Sequence, residues 1–395
     1  MISKNTSRVG VTIVGSGHTR FGRLDDMSVE DLVVDASREA LASSGLPAEE
    51  IDAIFLGHFN SGLVPDGFAS SLVHQADEAL RFTPAIRCEN ACASGAAAIM
   101  SGIRAIQAGA AKNVFVVGVE KMTSRSTPEV TTALGGAGYQ HNPEEASLSF
   151  PQVFARAAEA YGAAYGDPSL AMAMIAQKNH RNALANPLAH MQREMSLEFC
   201  NTVSDKNPLI ADPLRMTDCS LITDGAAALV LTAEDKADGF AKRARFRAAE
   251  QVSDFLPMSR RDFLAFEGPR LAMARAFEAA GVGVDDIDFA EVHDCFTIAE
   301  LMIYEAMGLA PAGRGIDALS SGAVYRGGKL PVNLSGGLKA KGHPVGATGV
   351  SMHALAYRQL TGSAGDMQIE DANLGLVFNM GGSAVANYVS ILESC

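Results

Sequence analysis

Two periodicities run through the chain. Val11–Val14, Asn113-Val-Phe-Val-Val-Gly118 and Gly375-Leu-Val-Phe-Asn379 are short β-rich runs that predict buried strands. Between them, apolar residues recur at helical spacing. Residues 36–58 and 272–294 show both patterns in the same order: an amphipathic helix, a Gly stop, an acidic turn and a short apolar strand. Ala40 pairs with Ala276, Gly45 with Gly281 and Ile51-Asp52 with Ile287-Asp288, at an ungapped offset of 236. A repeat this long predicts a duplicated α/β domain, since a solenoid would repeat every 20–50 residues or so. Strands alternating with helices predict mostly parallel sheets with helices on their faces.

The similarity continues more loosely. Cys92-Ala-Ser-Gly95 and His343-Pro-Val-Gly346 each open a small-residue helix, with Gly three residues after the polar one. On this reading Cys92 and His343 hold corresponding places in the two halves. Composition changes between roughly Lys121 and Thr232, a stretch rich in Ala, Met, Asn and Tyr that contains a predicted helix over Ser169–Leu184. It is too long for a plain loop. The expected organisation is an N-terminal half over 1–120, completed by about 217–240, an inserted lobe over 121–232, and a C-terminal half over 241–395.

The charge of −13 argues against bulk nucleic-acid binding, which needs a basic face. An anionic ligand would need local positive charge or helix N-termini. No apolar run approaches the roughly 20 residues that span a bilayer. The first eight residues show no apolar signal core, and six Cys in 395 residues are too few for a disulfide framework. The expected location is therefore a reducing cytoplasm.

Four places carry chemistry. Ser335–Gly349 has five Gly in fifteen residues around His343, followed by Pro344 at a helix start. Cys92 lies at a strand-to-helix junction, where a helix N-terminus is expected to lower a thiol pKa. His293-Asp294-Cys295-Phe296 follows the predicted strand Asp288-Phe-Ala-Glu-Val, at a strand's C-terminal end, where open α/β sheets place their sites. This cluster lacks the ligand spacing of a zinc site, and no metal is expected. Gly15-Ser-Gly17 lacks the third Gly of a dinucleotide fingerprint, and Gly135–Gly138 lacks the Gly-Lys-Ser/Thr ending of a phosphate loop.

These motifs, with Asn379-Met-Gly381-Gly382, resemble the thiolases over essentially the whole length. The likeness is greatest to the branch of the sterol carrier protein X thiolase domain and the archaeal acetoacetyl-CoA thiolases. That branch has His-Asp-Cys-Phe where common thiolases have Asn-Glu-Ala-Phe, and Asn379 stands where those have a Cys near the C-terminus. The resemblance implies a layered α/β/α/β/α fold of two βαβαβαββ halves. It also implies an acyltransferase that cleaves 3-ketoacyl-CoA, or condenses acyl-CoAs, through an S-acyl cysteine in lipid metabolism. Cys92 would then be the nucleophile, His343 its base, and Cys295 the acid/base at the α-carbon. His293 would hold a water at one oxyanion hole, and the N–H groups of Cys92 and Gly381 would form the other. Coenzyme A enters as a substrate with no prosthetic group, and Ser220, Lys178 and Arg181 of the lobe are its expected contacts. A homodimer or dimer of dimers is implied, and the branch admits a small acyl-CoA-associated partner protein. The rival readings are a thiolase-fold retro-aldolase, against which Cys92 argues, and an acyl-CoA-binding subunit.

Overall fold

In a computed structural model of the chain, residues 9–395 are described. Met1–Arg8, and with them the reading of the N-terminus, lie outside the described residues. The first half consists of β1 (Val11–His18), α1 (Val29–Ser44), β2 (Ala53–Gly57), β3 (Ala85–Cys88), α2 (Ser94–Gln107) and β4 (Asn113–Glu120). An intervening segment holds α3 (Thr127–Gly135), α4 (Pro143–Ala146), α5 (Phe150–Tyr165), α6 (Ser169–Ala183), α7 (Leu197–Asn201) and a hairpin of β5 (Leu209–Ala211) and β6 (Leu214–Arg215). Strand β7 (Gly225–Ala233) then returns to the sheet. The second half consists of β8 (Ala244–Ser253), α8 (Glu267–Ala280), β9 (Phe289–Val292), α9 (Thr297–Ala306), α10 (Gly315–Ser320), α11 (Thr348–Leu360), β10 (Leu374–Gly381) and β11 (Ala386–Ser394).

The main sheet runs β3-β2-β4-β7-β1-β8-β11-β10-β9. Read outward from the β1–β8 junction, the two halves have the same order. The counterpart of β3 in the second half is reduced to one parallel bridge between Ala290 and Val332. The connection from β2 to β3 is made of 3-10 turns, Ala69–Ala76 and Glu78–Leu80, where a helix was expected. Among the described strands, parallel pairing is confined to β2–β3, β2–β4 and β9–β10, so the sheet is not mostly parallel. The reason is that each half closes with two neighbouring strands. The turn from β10 to β11 spans only residues 382–385 and can join antiparallel strands alone.

The repeat read from sequence is structural. Gly45 ends α1 and Gly281 ends α8, both in the left-handed region, at φ 69° and 66°. The carboxylates of Asp52 and Asp288 then do the same job. Asp52 accepts the N–H of Lys112 (2.7 Å) and Asn113 (2.9 Å) as β4 begins, and Asp288 accepts those of Asn373 and Leu374 (both 2.8 Å) as β10 begins.

Helices α2 and α11 lie in the middle of the molecule and pack on one another, with α1 on the outer face of the first half and α8 on that of the second. Their contact needs glycine. A Cβ on Gly95 would lie 2.8 Å from the Val350 nitrogen, and one on Gly349 would lie 2.3 Å from the Ala96 nitrogen. These interlocked glycines set the correspondence between the halves at an offset of 254, Gly95 to Gly349. Cys92 therefore matches Gly346 and not His343, which lies three residues further upstream. The expected Cys92–His343 correspondence followed a shared spacing to Gly, whereas the packing aligns the helix starts.

Candidate active site

The nucleophile candidate sits on an elbow. Strand β3 ends at Cys88, Ala91 is held at φ 51°, and α2 starts at Ser94. A left-handed Ala costs about 1 kcal/mol, the kind of strain found at functional turns. Ser94 Oγ fixes the elbow by accepting the Asn90 N–H (2.9 Å) and donating to the Ala91 carbonyl (2.6 Å). The helix start does not lower the Cys92 pKa. Burial pushes the thiol up to about 12; the N–H groups of Gly382 and of Cys92 itself oppose this, and the Glu120 carboxylate adds to it. The expectation of a depressed pKa fails because desolvation outweighs the two N–H donors.

His343 and His293 stand beside this sulfur. One ligand atom from each of Cys92, His293 and His343 lies within 4.8 Å of the others. The two imidazoles meet edge to face, with centroids 5.1 Å apart and planes at 87°. Their tautomers follow from their partners. Thr348 Oγ1 donates its hydrogen to the Pro344 carbonyl (3.0 Å), so it accepts from His343 Nδ1–H (2.7 Å). His343 Nε2 then carries a lone pair, and it is buried with no partner among the described residues. Asn379 Nδ2 faces the Cys92 carbonyl (3.2 Å), which can only accept, and the same nitrogen donates to His293 Nδ1 (2.8 Å). His293 therefore carries its hydrogen on Nε2. One ring accepts and the other donates. Burial, with the Lys341 ammonium, pulls His343 down to about 3, and burial with His343 and Lys341 holds His293 well below its ordinary value. Both rings are neutral at neutral pH.

Cys295 shares a cavity of about 500 Å³ with Cys92 and His343. Its thiol is held well above the ordinary value by burial, then by Cys92 and Asp294. Asp294 anchors the glycine-rich loop. Its carboxylate accepts the N–H of Leu338 (2.6 Å) and Lys339 (3.1 Å) at the π-helical turn Gly337–Lys341, and also the Asn179 amide (2.7 Å). The cavity is lined mainly by apolar side chains of α3, α5 and the segments around Met191 and Met216.

These observations meet the comparisons with known proteins. Residues 11–235 match the thiolase N-terminal domain, and residues 249–394 match the thiolase C-terminal domain-like family. The chain belongs to the thiolase family. An acetyl-CoA acetyltransferase of Methanothermobacter thermautotrophicus is 37% identical over 387 residues, 97% of this chain and 99% of that protein. Human sterol carrier protein 2 is 32% identical over 399 residues, 95% of this chain and 70% of its own length. Among solved structures, the Ltp2-ChsH2(DUF35) aldolase superposes with a TM-score of 0.83 at 22% identity, with 98% of each chain covered. At that identity the likeness is one of fold. This thiolase is an acyltransferase of the branch to which the His-Asp-Cys-Phe motif pointed.

The remaining site expectations divide. Ser220 lines the cavity, and its N–H holds the Cys295 carbonyl (2.9 Å). Lys178 does not reach the cavity. It is fully buried, 2.8 Å from Glu300 and 2.7 Å from the Val332 carbonyl, because α6 turns this face inward. Arg181 is exposed and lies off the cavity wall. Gly381 ends β10, where a Cβ would lie 2.3 Å from the Asn90 carbonyl oxygen, and the N–H directed at the Cys92 sulfur is that of Gly382, at φ 63°. Sequence reasoning gave no role to Asn379, Thr348 or Cys219. Asn379 had one signal, its place where common thiolases carry a second Cys. Cys219 lines the cavity as well. Among the described residues no helix is long and apolar enough to cross a membrane.

Proposed function

We propose that this thiolase transfers an acyl group between coenzyme A and Cys92, with His343 and Cys295 moving the protons. The observation that carries this reading is the pairing of one imidazole lone pair and one imidazole N–H around a single thiol, with a second thiol in the same cavity. In thiolysis, Cys92 Sγ attacks the 3-keto carbon while its proton passes to His343 Nε2. The C2–C3 bond breaks, and the enolate so formed takes the proton of Cys295. The second coenzyme A thiol gives its proton to the Cys295 thiolate, attacks the S-acyl group and leaves as acyl-CoA, and His343 returns its proton to Cys92. The His293 Nε2–H faces one developing oxyanion, and the N–H groups of Cys92 and Gly382 face the other. Each such donor is worth roughly 3–4 kcal/mol in comparable sites. Claisen condensation is the same path reversed. Two working thiols suit a reducing compartment, and a part in fatty-acid breakdown is one direction of the reaction.

The test is release of acetyl-CoA from acetoacetyl-CoA and free coenzyme A. Acetyl-CoA is expected from the wild type and none from Cys92→Ala. A wild type that needs no second coenzyme A, or a fully active Cys92→Ala, contradicts the assignment.

We also propose a homodimer across β3. This strand is the sheet edge and leads directly to Cys92, and its neighbourhood exposes Phe82 (85%) and Ile86 (56%). A second copy would pair the open edge and cover these side chains. Sedimentation should give twice the chain mass, with Ile86→Lys shifting it toward monomer; a wild-type monomer at micromolar concentration is the opposing result.

A further inference from the structure

We infer that Lys339 makes this thiolase selective for 3-oxoacyl groups that carry a second, negatively charged group, such as a carboxylate at the far end of the chain. The inference rests on the thiolase reading above and concerns the acyl group that the cavity accepts. Lys339 is 3% exposed and lines the cavity shared by Cys92, Cys295 and His343. Its backbone is fixed by the Asp294 carboxylate, in the turn that leads to His343. Among the described residues, its ammonium has no hydrogen-bond partner and no ion pair.

The other buried lysines show how unusual this is. Lys121 pairs with Asp224 at 2.7 Å, Lys178 with Glu300 at 2.8 Å, and Lys341 donates to Ser351 at 3.1 Å. The acidic groups nearest to Lys339 are already engaged. Asp218 binds the Arg215 guanidinium at 2.7 and 3.3 Å and the Thr297 hydroxyl at 2.8 Å. Asp294 holds two backbone N–H groups and the Asn179 amide. With no partner in the protein, this ammonium is not sealed in the wall but opens onto the cavity, where a ligand of opposite charge would pair with it.

Its position separates it from the proton chemistry. The cation that acts on His343 is Lys341, whereas Lys339 acts on Cys219, Cys200 and His180. Cys219 acts on it directly, and Met191, Met195 and Ser220 line the same cavity. A cavity of about 500 Å³ is far larger than an acetyl group needs. An acyl chain running from Cys92 toward Cys219 would bring its end group to the ammonium. No other charged side chain lines this cavity to compete for it.

The test compares two thioesters of equal acyl length, 3-oxoadipyl-CoA with a terminal carboxylate and 3-oxohexanoyl-CoA without one. For the wild type, kcat/KM is expected to be at least tenfold higher on the charged substrate. Lys339→Met should lose at least 100-fold on the charged substrate and change less than threefold on the uncharged one, and Lys339→Arg should keep the preference. A wild type that favours the uncharged substrate or treats both alike overturns the inference, whether or not the Met variant folds. An equal loss on both substrates in Lys339→Met also overturns it, since Lys339 would then touch the common coenzyme A arm. A wild type that cleaves neither of these, nor acetoacetyl-CoA, overturns the thiolase reading itself.

Discussion

On the proposed mechanism Cys92 enters the reaction as a thiol, not as a thiolate held in advance. With the thiol pushed up to about 12 and His343 pulled down to about 3, neither group is charged at neutral pH. Proton transfer from sulfur to Nε2 then accompanies attack on the carbonyl, when the oxyanion donors can balance the new charge. Below the pKa of a thiol, its thiolate fraction rises tenfold for each pH unit. Alkylation of Cys92 by iodoacetamide should thus climb about tenfold per unit from pH 6 to 9 without a plateau, read by peptide mass spectrometry. A plateau near neutrality would mean a preformed ion pair. At this scale the Cys and His side chains that the fold gathers around the cavity were legible because the motifs place them at strand ends and helix starts, where packing alone does not call for them. The groups that orient them were not. Asn379 touches Cys92 from 287 positions away, and Lys178 is buried by Glu300, a partner that helical periodicity cannot supply.

The central elements work through a contact that only glycine allows. The N-terminal turns of α2 and α11 approach until backbone meets backbone, and this sets the distance between the Cys92 elbow and the His343 loop. In Gly349→Ala the new methyl would meet the Ala96 nitrogen at 2.3 Å and the Asn379 amide oxygen at 2.6 Å. Overpacking against backbone costs about 3 kcal/mol, so the urea midpoint should fall by the equivalent amount and activity should fall with it. An unchanged midpoint would show that the helices can move apart freely. The helices, their Gly stops and the acidic turns were legible as a repeat because each is a local signal. The pairing directions were not, since β7 and β11 reach their antiparallel places through connections that periodicity does not describe. The register between the halves was also misjudged, because two Gly spacings matched by chance and tertiary contact selected the other pair.

Across the whole molecule, the site lies where the two halves meet. The first half supplies Cys92 on the β3–α2 elbow. The second supplies His293 and Cys295 after β9, His343 before α11, and Asn379 and Gly382 at the end of β10. The intervening segment closes the cavity with α3, α5 and the loop of Ser220. Neither half holds the complete set, so the cavity needs residues from both. The central claim is that Cys92 carries the acyl group while Cys295 acts only on the α-carbon. It is tested most directly by intact-protein and peptide mass spectrometry of Cys295→Ala after exposure to acetyl-CoA. One acetyl group should appear on Cys92, with no acetoacetyl-CoA formed. Acetyl-CoA that leaves Cys92 unlabelled, or acetoacetyl-CoA made at the wild-type rate by this variant, would contradict the account.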